Sequence, residues 1–344
     1  MQDLAVAVVN YRTPDLTLDC VESLAPARAS FPTLRVMVVD GGSADGSAER
    51  IAAGVAARGW DDWVTVLPLT VNGGFGFANN RAIAALKEAG PLPPAIALIN
   101  PDARVRPGAL ERMAALLDGE SRCGAVGARL LREDGRPQAS AFRFPTIRSE
   151  FCRSARTRLI ERLMGEPPAV VDCDHTTEVP WVTGAAVMFR TAALGTTGLF
   201  DEGFFLYFEE TELMWRLRRA GWTIWHEPTA EVVHVGAAAT KINDPETGMP
   251  RRERLPPYWY ASRRRYFALA HGRAYALLTG VAWLAGRVWW RLRQLVLPRP
   301  EEGQRRGIGD MVQYSLWPSR RDARAAVTAM GAPPPERPAW MTAP

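Results

Sequence analysis

Five acidic residues and one histidine in this 344-residue chain stand where side chains of their type could act together. Asn100-Pro101-Asp102 follows the apolar run 95–99 and offers one carboxylate at the end of a strand-like segment. Such oxygen ligands suit Mg²⁺ or Mn²⁺, which share their coordination with substrate phosphates. His234 follows Val232-Val233 and would supply a second ligand or contact a diphosphate, unless it serves only packing. Glu209, Glu210 and Glu212 form the densest acidic cluster, directly after the aromatic stretch 204–208. A carboxylate among apolar groups holds its proton more tightly and can act as a general base. The helix dipole also favours acids in a first turn, which accounts for two of the three without chemistry. Asp40 precedes Gly41-Gly42-Ser43 and would accept hydrogen bonds from a base or ribose, or merely cap the turn.

A glycine-rich segment, Asn72-Gly73-Gly74-Phe75-Gly76-Phe77-Ala78-Asn79-Asn80, reads as a turn entering a helix. Backbone N–H groups in such a turn can face phosphate oxygens. It is not a dinucleotide fingerprint, because the third glycine is missing and the segment does not follow the first strand.

The elements that must hold these residues follow from periodicity. Apolar runs at 4–9, 34–39, 64–67 and 95–99 alternate with helix-like stretches at 15–24, 47–58 and 79–89. That order predicts an α/β fold with a mostly parallel sheet covered on both faces. Ligands of such sheets bind beyond the carboxyl ends of the strands, where this chain carries Asn10-Tyr11, Asp40 and Asn100-Pro101-Asp102. Residues 120–180 are less regular, with a strand at 125–131 and an Arg-rich stretch at 148–162, and could form an acceptor-side insertion. A strand is expected over 181–189. From Glu209 to Ala220 the acids come first, the arginines last and Gly221 just beyond, the charge order and stop of a helix.

Composition narrows the class. Hydrophobic residues make up 47% of the chain, enough for one large core or two modest ones. Cys20, Cys123, Cys152 and Cys173 have neither metal-ligand spacing nor the density of a disulfide framework, which suggests reduced, buried thiols in a cytosolic protein. The start of the chain reads as a first strand and lacks the pattern of a signal peptide. The net charge of +5 is uneven: residues 251–306 hold thirteen arginines, no lysine and three acids, so the remainder is net acidic. Within 256–297 the uninterrupted apolar run is too short to cross a bilayer, which takes about 20 residues. Tryptophans flanked by arginines suit a helix lying in a membrane interface, one closing the catalytic domain, or a dimer contact. No nucleic-acid-binding module accompanies the basic run, so nucleic acid is not expected. The Pro/Arg-rich tail is expected to be partly mobile.

Together these segments resemble glycosyltransferase family 2, and within it the rhamnosyltransferase-like branch. The likeness is carried in order by Val8-Val9-Asn10-Tyr11, the segment 38–46, Asn72 to Asn80, Leu98-Ile99-Asn100-Pro101-Asp102-Ala103, Thr183-Gly184-Ala185 and the run 198–222 leading to Val233-His234. It spans roughly residues 3–240. The resemblance implies a GT-A type nucleotide-sugar-binding fold with a C-terminal helical extension, and an inverting transfer dependent on Mg²⁺ or Mn²⁺. It places Asn10, Asp40, Gly74, Asn79, Asn80 and Asp102 on the donor, Asp102 and His234 on the metal, Gly184 and Glu212 on the acceptor side, and the base in the 209–212 motif. Asn100 replaces the aspartate that many members carry, which leaves Asp102 as the main metal carboxylate. Glu209-Glu210-Thr211-Glu212 replaces the usual Glu-Asp-x-Asp; we assign Glu210 as base, with Glu209 as its alternate.

The resemblance further implies a nucleoside-diphosphate sugar donor, dTDP-L-rhamnose first, with UDP-galactofuranose, UDP-glucose and UDP-N-acetylglucosamine as others the same machinery would serve. The implied acceptor is a lipid-linked saccharide of cell-wall or surface polysaccharide synthesis. The expected organisation is a catalytic domain over 1–250, divided near 118 into donor and acceptor halves, an amphipathic extension over 251–298 and the tail over 299–344. The expected location is cytoplasmic and peripheral to the membrane, with a homodimer possible. A non-catalytic nucleotide-sugar-binding relative and a dehydrogenase are the competing classes; the acids argue against the first and the missing glycine against the second.

Overall fold

Residues 1–236, 254–296, 306–317 and 324–342 are described by a computed structural model. Four apolar runs form the parallel strands β1 (Leu4–Asn10), β2 (Arg35–Asp40), β3 (Val64–Pro68) and β4 (Ala95–Ile99), ordered β3-β2-β1-β4. In β1, β2 and β4 the side chains alternate between two cores, as strands buried on both faces must, while β3 is a partly exposed edge. Leu4, Val6, Val8, Val36 and Val38 pack against α1 (Pro14–Leu24), α2 (Ser47–Ala57) and α4 (Ala109–Gly119). Ala5, Ala7, Met37 and Val39 face the other way, towards α3 (Phe75–Glu88) and α8 (Glu209–Arg219). Asn10 pairs in register with Asp40, and Val8 with Ile99, so the polar strand ends are brought level at one edge.

Beyond β4 the sheet becomes mixed. β11 (Ala186–Arg190) runs antiparallel to both β4 and β6 (Cys123–Leu131); β12 (Thr223–His234) runs parallel to β6 and antiparallel to β5 (Ala103–Val105). β7 (Pro137–Gln138) adds to β6 and β9 (Thr177–Glu178) to β12. The single strand expected over 181–189 is interrupted. β10 (Trp181–Val182) pairs with β8 (Ala141–Phe142) in a separate ribbon, and Thr183-Gly184-Ala185 carries the chain across to β11. α3 also begins four residues before the expected position. Gly74, at φ +89, lets the backbone turn directly into the helix, which buries Asn79 and Asn80 in its first turns.

The segment expected to be one amphipathic extension is two helices with different tasks. α9 (Pro257–His271) packs on α8, and two of its arginines are interior: Arg263 is fully buried and paired with Glu150, while Arg265 donates to Asp201 at 2.6 Å. α10 (Arg273–Val296) lays Thr279, Gly280, Trp283 and Gly286 inward, against α5 (Ile147–Ala155) among others. At Gly286 a Cβ would strike the Phe151 carbonyl, so the glycine permits that close approach. The opposite side of α10 exposes Leu277, Val281, Val288, Leu292 and Leu295. Among the described residues no helix is long and apolar enough to cross a membrane.

Residues 324–342, in the stretch marked by sequence as a mobile tail, lie against the 199–205 loop. Leu199 N donates to Thr328 O at 2.9 Å, Glu202 N to Ala326 O at 3.0 Å, and Trp340 Nε1 to Gly73 O at 3.2 Å. The four cysteines are free, but Cys173 is half-exposed rather than buried, with its Sγ 3.3 Å from His226 Nδ1.

Candidate active site

The level strand ends open into a cavity of about 390 Å³ that contains both the Asp102–His234 pair and the Glu209–Glu210 pair. Its floor is Val9, Tyr11 and Gly41; its sides are the Gly74 turn, Gly184 and the 205–207 loop. Asn10 and Asp40 stand behind that floor. Asp40 Oδ1 accepts from Asn10 Nδ2 and from Ser43 Oγ, both at 2.6 Å, and Oδ2 accepts from Ser43 N at 3.0 Å. Asn10 Oδ1 in turn accepts from Thr13 N and Thr17 Oγ1. A buried carboxylate so fully satisfied is costly to disturb, and here it fixes the two strand-end loops relative to each other.

Asp102 and His234 come together because β12 runs antiparallel to β5, setting His234 opposite Ala103. His234 Nε2 is 3.2 Å from Asp102 Oδ1 and 3.3 Å from Asn100 Nδ2, while His234 Nδ1 is 3.3 Å from Gln138 Oε1. An Nδ1–H donated to that amide oxygen would leave the Nε2 lone pair free for a cation shared with Asp102. Two donors each about 2.1 Å from one cation, at right angles, stand about 3 Å apart, so this spacing fits an octahedral divalent ion. Among the described residues no group of three His, Cys, Asp or Glu side chains meets at a metal-binding distance. Asp102 and His234 therefore fit a half-site of the kind that phosphate oxygens and water complete.

Across the cavity, Glu209 and Glu210 open α8 behind a strained entry. Tyr207 and Phe208 both have φ of 69°, two consecutive non-glycine residues in the left-handed region. Gly74 makes that path possible, since a Cβ there would run into the Phe205 carbonyl, whose oxygen accepts from Phe75 N at 3.3 Å. One carboxylate oxygen of each glutamate is buried without a hydrogen-bond partner. Burial pushes both pKa values up, and the neighbouring Glu210 charge raises Glu209 further, well above the ordinary glutamate range. Gly184 backs Glu210, and a side chain there would crowd the Phe75 ring.

Besides Asn10 and Asp40, three residues assigned to the site by sequence lie outside this cavity. Glu212 is ion-paired with Arg216 at 2.8 Å, and Arg216 binds the carbonyls of Thr197 and Leu199. Asn80 accepts from Phe200 N and donates to Phe200 O and Glu202, clamping the 199–205 loop to α3. Asn79 donates to Phe75 O within its own helix. Helical spacing explains all three: α8 turns Glu209 and Glu210 to the cavity and Glu212 towards protein, while α3 meets the cavity with Phe75 and turns Asn79 and Asn80 towards protein. Phe205, Leu206, Tyr207 and Tyr258 line the cavity but were missed. Tyr258 lies in a run whose aromatics and arginines read equally well as interfacial, and left-handed backbone at Tyr207 has no signature in residue type.

A family model described as "Glycosyltransferase like family 2" matches residues 2–254. Two Mycobacterium tuberculosis proteins, from strains CDC 1551 / Oshkosh and H37Rv, are 32% identical to the chain over 228 residues, covering 60% of it and 67% of each relative. Both are described as N-acetylglucosaminyl-diphospho-decaprenol L-rhamnosyltransferase. Among solved structures, a Pyrobaculum calidifontis mannosyltransferase in complex with GDP-Man and Mn²⁺ aligns with a TM-score of 0.52 at 14% identity, over 86% of this chain and 76% of that one. GalNAc-T7 with UDP, GalNAc and Mn²⁺ aligns with a TM-score of 0.52 at 13% identity, over 86% of this chain and 52% of that one. At these identities the likeness is one of fold.

Proposed function

This chain belongs to glycosyltransferase family 2, with a GT-A type fold, and from that membership we propose that it moves L-rhamnose from dTDP-L-rhamnose to a saccharide linked through diphosphate to a polyprenyl lipid. The observation that carries the reading is the sharing of one cavity by the Asp102–His234 pair and the Glu210 carboxylate. The two relatives of 32% identity are described as acting with a rhamnosyl donor and a decaprenyl-linked acceptor, which supports the choice of sugar and lipid.

Asp102 and His234 would hold a divalent cation, Mg²⁺ or Mn²⁺, whose charge offsets that developing on the departing nucleoside diphosphate. Glu210 takes the proton from the acceptor hydroxyl at its partnerless oxygen. That hydroxyl oxygen bonds to the anomeric carbon while the carbon–oxygen bond to the diphosphate breaks, with inversion. Glu210 rather than Glu209 fits the base because Glu209 is the more deeply buried and its pKa is raised well above the ordinary range, so it gives up its proton less readily than its partner. Gly74 and the Phe205 carbonyl keep the loop that positions Glu210 close to the donor side. Asn10 and Asp40 act by holding that floor rigid. The outward apolar face of α10 would rest on the bilayer that carries the acceptor. The protein would then work at a membrane surface.

A thermal-shift panel of dTDP-rhamnose, UDP-sugars, GDP-sugars and NAD, each with and without Mn²⁺, tests the reading in wild type and Asp102→Ala. The expected result is a metal-dependent rise with dTDP-rhamnose that Asp102→Ala removes. A rise with another nucleotide-sugar reassigns the donor, and a rise with NAD alone overturns the transfer reading. Transfer is then assayed on N-acetylglucosaminyl diphosphate carrying a short prenyl chain.

A further inference from the structure

A second cavity, of about 640 Å³, lies on the other side of the α8 entry. It shares just two lining residues with the first, Tyr207 and Glu210. One part of its wall is the stacked pair Phe142 and Trp181, with ring centroids 4.6 Å apart and planes at 21°. Trp259 forms another part, with the Arg153 guanidinium 5.4 Å from its ring centre. Arg143 and Glu161 add polar groups of both signs.

We propose that this second cavity is the acceptor site, taking the saccharide head of the lipid-linked substrate and delivering its hydroxyl to Glu210 from the side opposite the donor. The assignment rests on the glycosyl-transfer reading above. Aromatic walls suit the apolar faces of a sugar ring, and flanking carboxylates and guanidinium groups suit its hydroxyl edge. Glu210, common to both cavities, is placed to receive the hydroxyl proton as the new carbon–oxygen bond forms and the nucleoside diphosphate leaves on the far side.

The lipid has a matching exit. Glu161 reaches this cavity from α6 (Arg158–Leu163), while Leu159 and Leu163 of the same helix are 64% and 78% exposed. Thr157, just before α6, is joined to α10 through Trp289 Nε1 at 3.4 Å. The exposed Leu159 and Leu163 give the prenyl chain an apolar path at the cavity mouth while the saccharide enters.

The test is a two-substrate kinetic analysis of Trp181→Ala and Arg143→Gln with dTDP-rhamnose, Mn²⁺ and the short-chain acceptor. Arg143 is exposed, so its variant remains informative if Trp181→Ala fails to fold. The expected result is a KM for the acceptor raised about tenfold or more, with the donor KM and the donor-induced thermal shift within twofold of wild type. Unchanged acceptor KM in a folded variant, or a rise in donor KM instead, overturns the assignment. Absence of both donor shift and transfer in the wild type would sink the parent reading first, and this one with it.

Discussion

His234 Nε2 lies 3.2 Å from Asp102 Oδ1, on strands that meet only because the end of β12 folds back antiparallel to β5. In the proposed role, losing either side chain would halve the protein's share of the metal's coordination sphere. Asp102→Ala is expected to cut transfer by roughly 10²-fold or more, the scale of removing charge stabilisation from a transition state. His234→Ala should instead raise the Mn²⁺ concentration needed for half-maximal rate. A metal titration of the two variants reads both outcomes, and metal dependence identical to wild type in each would contradict the pair's role.

Glu209 and Glu210 bear on pH in two ways. With its pKa raised, Glu210 should give kcat/KM an acid limb above the ordinary glutamate range, and Glu210→Gln should lower kcat roughly 10²- to 10⁴-fold with little change in donor KM. A folded-state pKa above that of the unfolded chain means the native protein holds a proton that the unfolded chain has released. The stability this contributes is complete below the unfolded value and is lost as pH rises through the folded one. Glu209→Gln removes that loss, so it should raise the melting temperature near neutral pH and leave it nearly unchanged near pH 4. Melting curves across that range, alongside a pH–rate profile, separate the two residues.

Gly74 carries two demands at once, a φ of +89° and the space taken by the Phe205 carbonyl. Gly59 has a similar φ, +64°, but open space around it. Gly59→Ala should therefore cost only the left-handed penalty, about 1–2 kcal/mol. Gly74→Ala should cost more and also depress kcat, because the loop that sets Glu210 must move. Urea midpoints and initial rates for both variants make the comparison; equal losses would mean that the Phe205 contact is dispensable.

The exposed residues of α10 predict a surface effect separable from chemistry. Val281 and Leu292 are 50% and 57% exposed on the same outward side. Val281→Ser with Leu292→Ser removes apolar area worth about 1.5–3 kcal/mol per side chain if fully buried in lipid. Binding to phosphatidylglycerol-containing vesicles should fall at least tenfold, while transfer to a short-chain acceptor in detergent-free buffer stays at the wild-type rate. Vesicle binding that survives the double substitution would exclude this face.

The order and type of the first elements were open to reading because each depends on local pattern. Short β-branched runs, continuous rather than alternating and bounded by turn residues, read as strands of a covered sheet, and Asn10, Asp40 and Asp102 stand at or just beyond their carboxyl ends wherever the helices fall. The charge order of α8, acids first and arginines last, likewise sits entirely within the segment it describes. Tertiary structure decided what depends on partners distant in sequence. It joined His234 to Asp102 through the antiparallel β12–β5 pairing, and diverted Asn80 to Phe200. It also turned the arginines of α9 into buried ion pairs with Glu150 and Asp201, where composition alone showed a basic patch. A residue's type limits the bonds it can make, but its neighbours across the fold determine which of them form, since a buried charge or amide is stable only where a partner meets it.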